Sequence, residues 1–193
     1  VLEVADKLVD GEVFVADKVP GLLAVTAYPR PLVVVDRTLL GDPEPALRFL
    51  FGYAFEAIRG GYAMLLHVGA RKRHELALLL GALLAADAEQ GAAVDLINHA
   101  SDAQQAVLEA HAGSTADPSA WMDGMLALAK RAGLLACDDF SSSIWMVARL
   151  AGEHLESRDA TIALGSVLGG PDLVRFYLSD DYQQLRDRMT VGA

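Results

Sequence analysis

The fold of this chain is decided by residues 32–62, LVVVDRTLLGDPEPALRFLFGYAFEAIRGGY, where a strand leads into a helix. The run at 32–36 is apolar and rich in valine, which is typical of a buried strand. The pair Asp42-Pro43 then supplies a cap and a first-turn proline, which together indicate a helix start. Apolar residues recur at helical spacing up to the two glycines at 60–61, which predict the end of the helix.

Strand-like segments precede this stretch. In residues 12–16 the β-branched residue valine recurs at every second position, and a second apolar run at 22–27 follows Pro20-Gly21. Residues 28–31 contain two prolines, which donate no hydrogen bond to a sheet and so indicate a turn. We therefore expect a small N-terminal antiparallel sheet of about three strands.

The remainder of the chain is helical in pattern, which predicts an α+β fold with a bundle of six or seven helices. A length of 193 residues fits a single domain covering 1–193, and the start at Val1 instead of Met suggests a part excised from a longer chain. The predicted helices after the first are residues 73–89, 94–112, 118–137, 140–153, 160–168 and 171–189.

Composition and charge restrict the partners. Hydrophobic residues make up 53% of the chain, yet the most apolar segment, 62–86, is interrupted by the charged run 71–75. A membrane span needs about 20 residues almost free of charge, so we expect no membrane insertion and read this segment as two buried helical pieces joined by a charged turn. A net charge of −10 argues against nucleic acid as a partner. We expect a soluble, cytoplasmic protein.

The nucleophilic residues have structural explanations. Cys137 is the only cysteine, so an internal disulfide is excluded. The acidic pair Asp138-Asp139 and burial would both raise the pKa of its thiol, which favours a structural cysteine. The serines at 141–143 lack the G-x-S-x-G turn of a nucleophile and are explained as cap and first-turn residues of a helix.

The five histidines, His67, His74, His99, His111 and His154, do not form a metal motif. None of them is four residues from another, the spacing that places two imidazoles on one helix face. Residues 74–78 begin like H-E-x-x-H but end in Leu78. Asp95 and His99 are four residues apart, and such a pair is more often a surface ion pair than a pair of metal ligands.

The helix at 42–59 nevertheless resembles a metal-binding one. The order of elements resembles the catalytic half of HExxH zinc peptidases of the CAAX-prenyl-protease and heat-shock-peptidase type. Two strands joined by a turn are followed by Leu39-Leu40 and then by a helix that contains residues 52–58. In that family the helix reads G-H-E-L-G-H-I. Here Tyr53 stands where the first ligand His would be, Ala54 where the catalytic Glu would be, and Ala57 where the second ligand His would be.

A later patch resembles the family helix E-x-x-A-D-R-A, which supplies the third zinc ligand and a supporting Asp. Leu126 takes the place of that Glu and Lys130 the place of that Asp, whereas Ala129, Arg131 and Ala132 match. The resemblance covers about residues 12–140 and implies a zincin-like fold. The chain is also similar to domains that follow helical TPR arrays in large bacterial proteins.

With these substitutions the residues cannot perform the family's chemistry. Zinc needs three nitrogen, oxygen or sulfur ligands, and Tyr53, Ala57 and Leu126 offer one weak phenol and two hydrocarbons. Ala54 cannot act as a base, and Glu56 is turned about 200° away from the face where the base would lie. We predict no zinc and no other cofactor. The same prediction holds if the helix is merely amphipathic and never carried a metal.

The sequence thus favours a pseudoenzyme, a non-catalytic domain that binds a protein partner or a sister domain. Two alternatives stay open. One is a sensor that holds a small ligand in an emptied cleft, and the other is a hydrolase with an unrecognised site around Tyr53, Glu56 or His67.

Overall fold

The computed structural model describes residues 12–26, 30–68, 70–85, 98–152 and 169–191. Within these residues the chain is α+β, with a three-stranded sheet followed by helices. The strands are β1 Glu12–Ala16, β2 Leu23–Thr26 and β3 Leu32–Asp36. The α-helices are α1 Glu44–Arg59, α2 Ala70–Leu84, α3 Asp102–His111, α4 Pro118–Cys137, α5 Phe140–Leu150, α6 Gly170–Tyr177 and α7 Asp180–Val191. Short 3-10 turns occupy Pro20–Leu22, Arg37–Gly41 and Ala63–His67.

The sheet is mixed, so the prediction of an antiparallel sheet is wrong in part. The strand order is β1-β3-β2, with β2 antiparallel to β3 and β1 parallel to β3. The chain reverses between β1 and β2 and again between β2 and β3, so β3 returns to the direction of β1. Because β3 lies between the other two, it faces one parallel and one antiparallel neighbour. Val33 and Val35 of this central strand are almost fully buried.

Helix α1 ends where the sequence predicts and begins two residues after the predicted cap. Pro43 is the N-cap residue, while Asp42 forms an ion pair with Arg149 of α5. At the other end Gly60 caps the helix. The ring of Tyr62 explains this glycine, because a Cβ at Gly60 would lie 2.2 Å from Cε1 of that ring.

Two glycines allow helices α1 and α4 to cross in close contact. A Cβ at Gly52 would lie 2.6 Å from Cβ of Ala136 and 2.9 Å from the carbonyl oxygen of Ala132. A Cβ at Gly133 would lie 2.8 Å from the carbonyl oxygen of Phe49. Only glycine leaves room for this approach of the two backbones, which positions the helices around the site described below.

The segment 171–189, predicted as one helix, forms two. Helix α6 ends at Tyr177 and α7 begins at Asp180. The hydroxyl of Ser179 donates to the carbonyl of Phe176 at 2.7 Å and accepts from the amide of Tyr182 at 3.2 Å. One side chain therefore closes the first helix and caps the second. Hydrogen bonds from a serine side chain to nearby backbone groups compete with the backbone hydrogen bonds of a continuous helix.

The charged run 71–75 lies inside helix α2 and not in a turn, contrary to prediction. Most side chains described in this helix are at least partly exposed, including Leu78 at 62%, so charged residues at its start face solvent without breaking it. The helix start at Asp117-Pro118 is confirmed, since Asp117 Oδ1 accepts the amides of Ser119 and Ala120. The helix predicted at 160–168 lies outside the described residues, and those predicted at 73–89 and 94–112 fall partly outside them.

The chain forms two compact units, Val1–His67 with Met125–Ala193, and Val68–Gly124. Most of the buried apolar side chains, including those of β3, α1 and α5, belong to the first unit. In the part of the chain that the structure describes, no helix is both long enough and apolar enough to cross a membrane.

Candidate ligand-binding cleft

Tyr53, Ala54 and Ala57 of α1, the positions that the expected resemblance aligns with zinc-peptidase site residues, belong to the hydrophobic interior. Ala54 and Ala57 are completely buried, and Tyr53 is 9% exposed. The Tyr53 ring stacks on Phe49 with 6.2 Å between the ring centroids. This face of α1 is therefore packed apolar surface.

Leu126 and Lys130, the two substituted positions on α4, differ in their burial. Leu126 is buried, and helical spacing places it on one face with Ala129 and Gly133, the face that crosses α1. Lys130 is half-buried, and its Nζ lies over Gly169, 2.6 Å from where a Cβ would stand. In the described ranges no group of three His, Cys, Asp or Glu side chains is arranged to hold a metal ion. Asp95 lies outside those ranges, so the Asp95–His99 pair is not described.

His67 and Glu56, two residues of the alternative hydrolase site, form hydrogen bonds with different parts of the chain. Nε2 of His67 lies 2.8 Å from the backbone nitrogen and 2.7 Å from the carbonyl oxygen of Val25 in strand β2. Both oxygens of Glu56 accept hydrogen bonds from Arg59, at 2.7 and 2.8 Å. The first contact ties a 3-10 turn to the sheet, and the second holds a side chain at the end of α1.

The serines that follow Cys137 lie in the first turn of α5, as the sequence predicts, but the cap residue is Asp139 and not a serine. The thiol is buried, with Sγ 3.1 Å from Oγ of Ser143. Burial raises the pKa of the Cys137 thiol, and the charges of Asp139 and Asp138 raise it further. Asp139 is the N-cap of α5 and accepts the amide of Ser142 at 3.0 Å.

A cleft of about 430 Å³ lies among helices α1, α4, α6 and α7 of the first unit. Its apolar part comes mainly from α4, with Phe176 of α6 and Leu185 of α7, and polar side chains from α1, α4 and α7 surround it. The lining residues are Glu56, Arg59, Leu128, Arg131, Ala132, Leu135, Phe176, Asp181, Gln184, Leu185 and Arg188. None of the five substituted positions, Tyr53, Ala54, Ala57, Leu126 and Lys130, is among them, whereas Arg131 and Ala132 of the second patch are.

Two of the three cleft arginines are held in a fixed orientation by carboxylates. Arg59 binds Glu56 through Nε and one Nη nitrogen. Arg131 binds Asp172 in the same way, at 3.0 and 2.6 Å, and its guanidinium also lies 5.4 Å from the centroid of the Phe176 ring. Hydrogen bonds to Glu56 and Asp172 raise the pKa values of the two guanidiniums, so both remain charged. Paired geometry of this kind restricts each guanidinium plane.

The third arginine, Arg188 on α7, is exposed and makes no hydrogen bond or ion pair with the residues that the structure describes. It is one of only 16 basic residues in a chain of net charge −10. Leu128 of α4 and Leu185 of α7, both in the lining of the cleft, are 40% and 38% exposed. The cleft thus combines uncovered apolar surface with an available cation.

The sequence did not reveal this cleft. Arg59 and Glu56 are three residues apart on one helix, which is a recognisable local pair. Arg131 and Asp172, however, are separated by 41 residues. The lining also takes residues from both α6 and α7, which the break at Ser179 separates. A cluster of arginine and leucine at positions 128–135 and 185–188 was the available signal. Comparisons with protein-family models, with curated proteins and with solved structures find no match to this chain.

Proposed function

We propose that this chain is a non-catalytic, metallopeptidase-like domain that binds a segment of a partner protein or sister domain in the cleft between α1, α4, α6 and α7. The observation that carries the proposal is the cleft itself. It joins exposed leucines to a guanidinium with no partner among the described residues. Arginine beside exposed apolar surface is characteristic of protein interaction sites.

The residues at the former-site positions support the non-catalytic part of this proposal. Ala54 and Ala57 bring no donor atom, and Leu126 fills its place with hydrocarbon. Metal-assisted hydrolysis needs both ligands and a base, and neither set is present at these positions. The relation to zinc peptidases and to TPR-containing bacterial proteins is part of the same proposal and rests on the two sequence patches.

A small-ligand sensor is the second candidate function. A volume of about 430 Å³ falls within the range of about 300–1,000 Å³ that is typical of small-molecule sites. Such a ligand would raise the melting temperature of the free chain, by an amount that grows with the logarithm of its concentration once this exceeds the dissociation constant. A partner segment of several residues uses the same opening but also contacts the rim.

A peptide selection tests the main proposal. A phage-displayed library of random twelve-residue peptides is selected on the wild-type chain and on two variants, Leu185→Glu and Leu178→Glu. Leu185 lines the cleft, whereas Leu178 is 76% exposed and lies outside the lining. Both substitutions replace a surface leucine by the same charge, so only the first changes the cleft.

Peptides enriched on the wild type and on Leu178→Glu, but not on Leu185→Glu, are the expected result. The proposal is contradicted if no peptide is enriched, or if the enriched peptides bind all three proteins equally. A compound from a metabolite panel that stabilises the wild type and not Leu185→Glu, with no peptide enriched, would establish the sensor function in its place.

A further inference from the structure

We infer that the group recognised by the cleft is a carboxylate, the side chain of an Asp or Glu next to an apolar residue in the bound segment. This inference rests on the proposed function and specifies the chemistry of its ligand. Arg188, with the outward edges of Arg59 and Arg131, would bind the carboxylate, while the leucines contact the apolar neighbour.

The two paired arginines keep donors available for a ligand. A guanidinium has five N–H groups. The ion pairs with Glu56 and Asp172 use Nε and one Nη nitrogen of each arginine, and the structure gives the other nitrogen, Nη1, no hydrogen bond among the described residues. The pairing carboxylates thus hold each guanidinium in place and leave one edge for another acceptor. Less side-chain entropy is then lost when an acidic ligand binds.

The third arginine supplies the uncompensated charge. Arg59 and Arg131 are each neutralised by their partners, so on their own they attract an anion weakly. No carboxylate in the described part of the chain lies within ion-pair distance of Arg188. A ligand carboxylate next to Arg188 would therefore gain a charge-assisted hydrogen bond without displacing an existing pair.

The acidic residues of the cleft are placed so that they do not cancel this attraction. Glu56 is occupied by Arg59 through both oxygens. Asp181 lies in the first turn of α7, seven residues before Arg188, which corresponds to about 10 Å along the helix axis. The two ends of the α7 wall therefore differ in charge, and an acidic group is favoured at the Arg188 end.

The apolar lining makes the polar contact stronger and more selective. Leu128 and Leu185 expose carbon surface beside the guanidinium, and Phe176 covers one face of Arg131. A leucine-sized side chain that fills this surface removes water from around the carboxylate, and lower local polarity strengthens a charged hydrogen bond. A carboxylate without an apolar neighbour would lack this contribution.

A matched pair of small peptides tests the inference. N-acetyl-Leu-Asp-amide and N-acetyl-Leu-Asn-amide have the same shape and differ in one charge, and their blocked C-termini remove the other carboxylate. Each is titrated into the ¹⁵N-labelled full chain, and the backbone amides and arginine Nε–H signals are followed by NMR. The variants are Arg188→Gln and, as control, Arg175→Gln, which removes the same charge from an exposed position of α6 outside the cleft.

The Asp peptide is expected to bind at least about tenfold more tightly than the Asn peptide, as one charged hydrogen bond predicts. This ratio should fall to about one in Arg188→Gln and persist in Arg175→Gln. Equal affinity for the two peptides, absence of binding, or a ratio that survives Arg188→Gln overturns the carboxylate assignment. A free-acid peptide, N-acetyl-Leu with its own carboxylate, binding better than either amide would assign the site to a chain terminus and also overturns it.

The library selection separates this failure from failure of the proposed function. Cleft-dependent peptides that lack Asp and Glu would leave the binding function standing and reject the carboxylate. An absence of cleft-dependent peptides would reject the binding function itself.

Discussion

Gly52 and Gly133 lie against each other where helices α1 and α4 cross, and a Cβ at Gly52 would stand 3.1 Å from Cα of Gly133. The crossing brings together the two sequence patches on which the proposed relation to zinc peptidases rests. It also determines the position of α4 residues 128–135, which form one wall of the cleft. A single close contact between backbones therefore supports both the interior and one wall of the cleft.

Replacement of Gly133 by alanine should destabilise the protein. The new Cβ would lie 2.8 Å from the ring of Phe49 and from its carbonyl oxygen, so the crossing must open. Overpacking of this kind costs about 1–3 kcal/mol. The control is Gly124→Ala in the same helix, where nothing lies within 4 Å and better helix propensity should add up to about 1 kcal/mol. Urea denaturation measures both, and a Gly133→Ala variant as stable as the wild type would disprove the close crossing.

Asp36 should make the unfolding free energy depend on pH in the acid range. Its carboxylate accepts hydrogen bonds from the hydroxyl and amide of Thr38, at 2.6 and 2.9 Å, and from the amide of Val19 at 2.8 Å. The hydrogen bonds from Thr38, and then that from Val19, hold the pKa of Asp36 below its ordinary value. Because the folded pKa is depressed, the stabilisation is complete above the unfolded pKa of about 4 and is lost as the pH falls.

The variant Asp36→Asn should therefore be less stable than the wild type at pH 7, with a difference that shrinks towards pH 3. Asp17→Asn is the matched control, since its ion pair with Arg37 is exposed and contributes little. Thermal unfolding followed by circular dichroism at several pH values gives the comparison. A constant difference between Asp36→Asn and the wild type across this range would show that the carboxylate charge is not what stabilises the turn.

The hydroxyl of Tyr62 is buried and has no hydrogen-bond partner among the described residues. An unpaired buried hydroxyl costs about 1–3 kcal/mol, so Tyr62→Phe should keep or increase the unfolding free energy at pH 7. Tyr182 gives the contrast, because its hydroxyl donates to Asp138 at 2.8 Å and Tyr182→Phe should lower stability. Denaturant titration distinguishes the two, and a loss in Tyr62→Phe as large as that in Tyr182→Phe would contradict the assignment.

Alkaline pH should destabilise the protein through the same two tyrosines. Burial, followed by the charge of Glu56, raises the pKa of Tyr62, and burial with the hydrogen bond to Asp138 raises the pKa of Tyr182. Above pH 10 these phenols lose their protons in the unfolded chain but keep them in the folded chain, because their folded pKa values are raised. The unfolding free energy therefore falls with rising pH. The double variant Tyr62→Phe, Tyr182→Phe should lose stability less steeply, and an identical slope would rule out both residues.

Local signals predicted the parts of the fold that depend on neighbouring residues. Proline and glycine mark the ends of α1, Asp117-Pro118 begins α4, and the valine run gives β3. The parallel pairing of β1 was missed because strand direction depends on where distant strands meet, and the α6–α7 break was missed because the role of Ser179 depends on tertiary contacts.

The cleft could not be predicted for the same reason. One of its two arginine–carboxylate pairs joins residues that are far apart in sequence, Arg131 and Asp172. The resemblance directed attention to the face of α1 with Tyr53, whereas the accessible surface lies on another face of the same helix, where Glu56 and Arg59 are placed. The 200° separation between Ala54 and Glu56 around the helix was visible in the sequence, but nothing there showed that Glu56 borders a cavity.

Purified protein should contain less than stoichiometric zinc, because the positions at Tyr53, Ala57 and Leu126 do not supply three good ligands. Metal analysis of the chain after dialysis, with and without a chelator, provides the measurement, and the melting temperature should not change on chelation. One zinc per chain, lost on mutation of His67 or His99, would refute the pseudoenzyme interpretation and restore the hydrolase alternative.

The location of binding tests the central claim most directly. A peptide enriched in the library selection is titrated into the ¹⁵N-labelled chain, and the perturbed amides are assigned to residues. We predict that the perturbed signals cluster in the cleft, on Leu128, Arg131, Leu185 and Arg188. Perturbations confined to the Tyr53 and Leu126 face, or to the unit Val68–Gly124, would contradict the account.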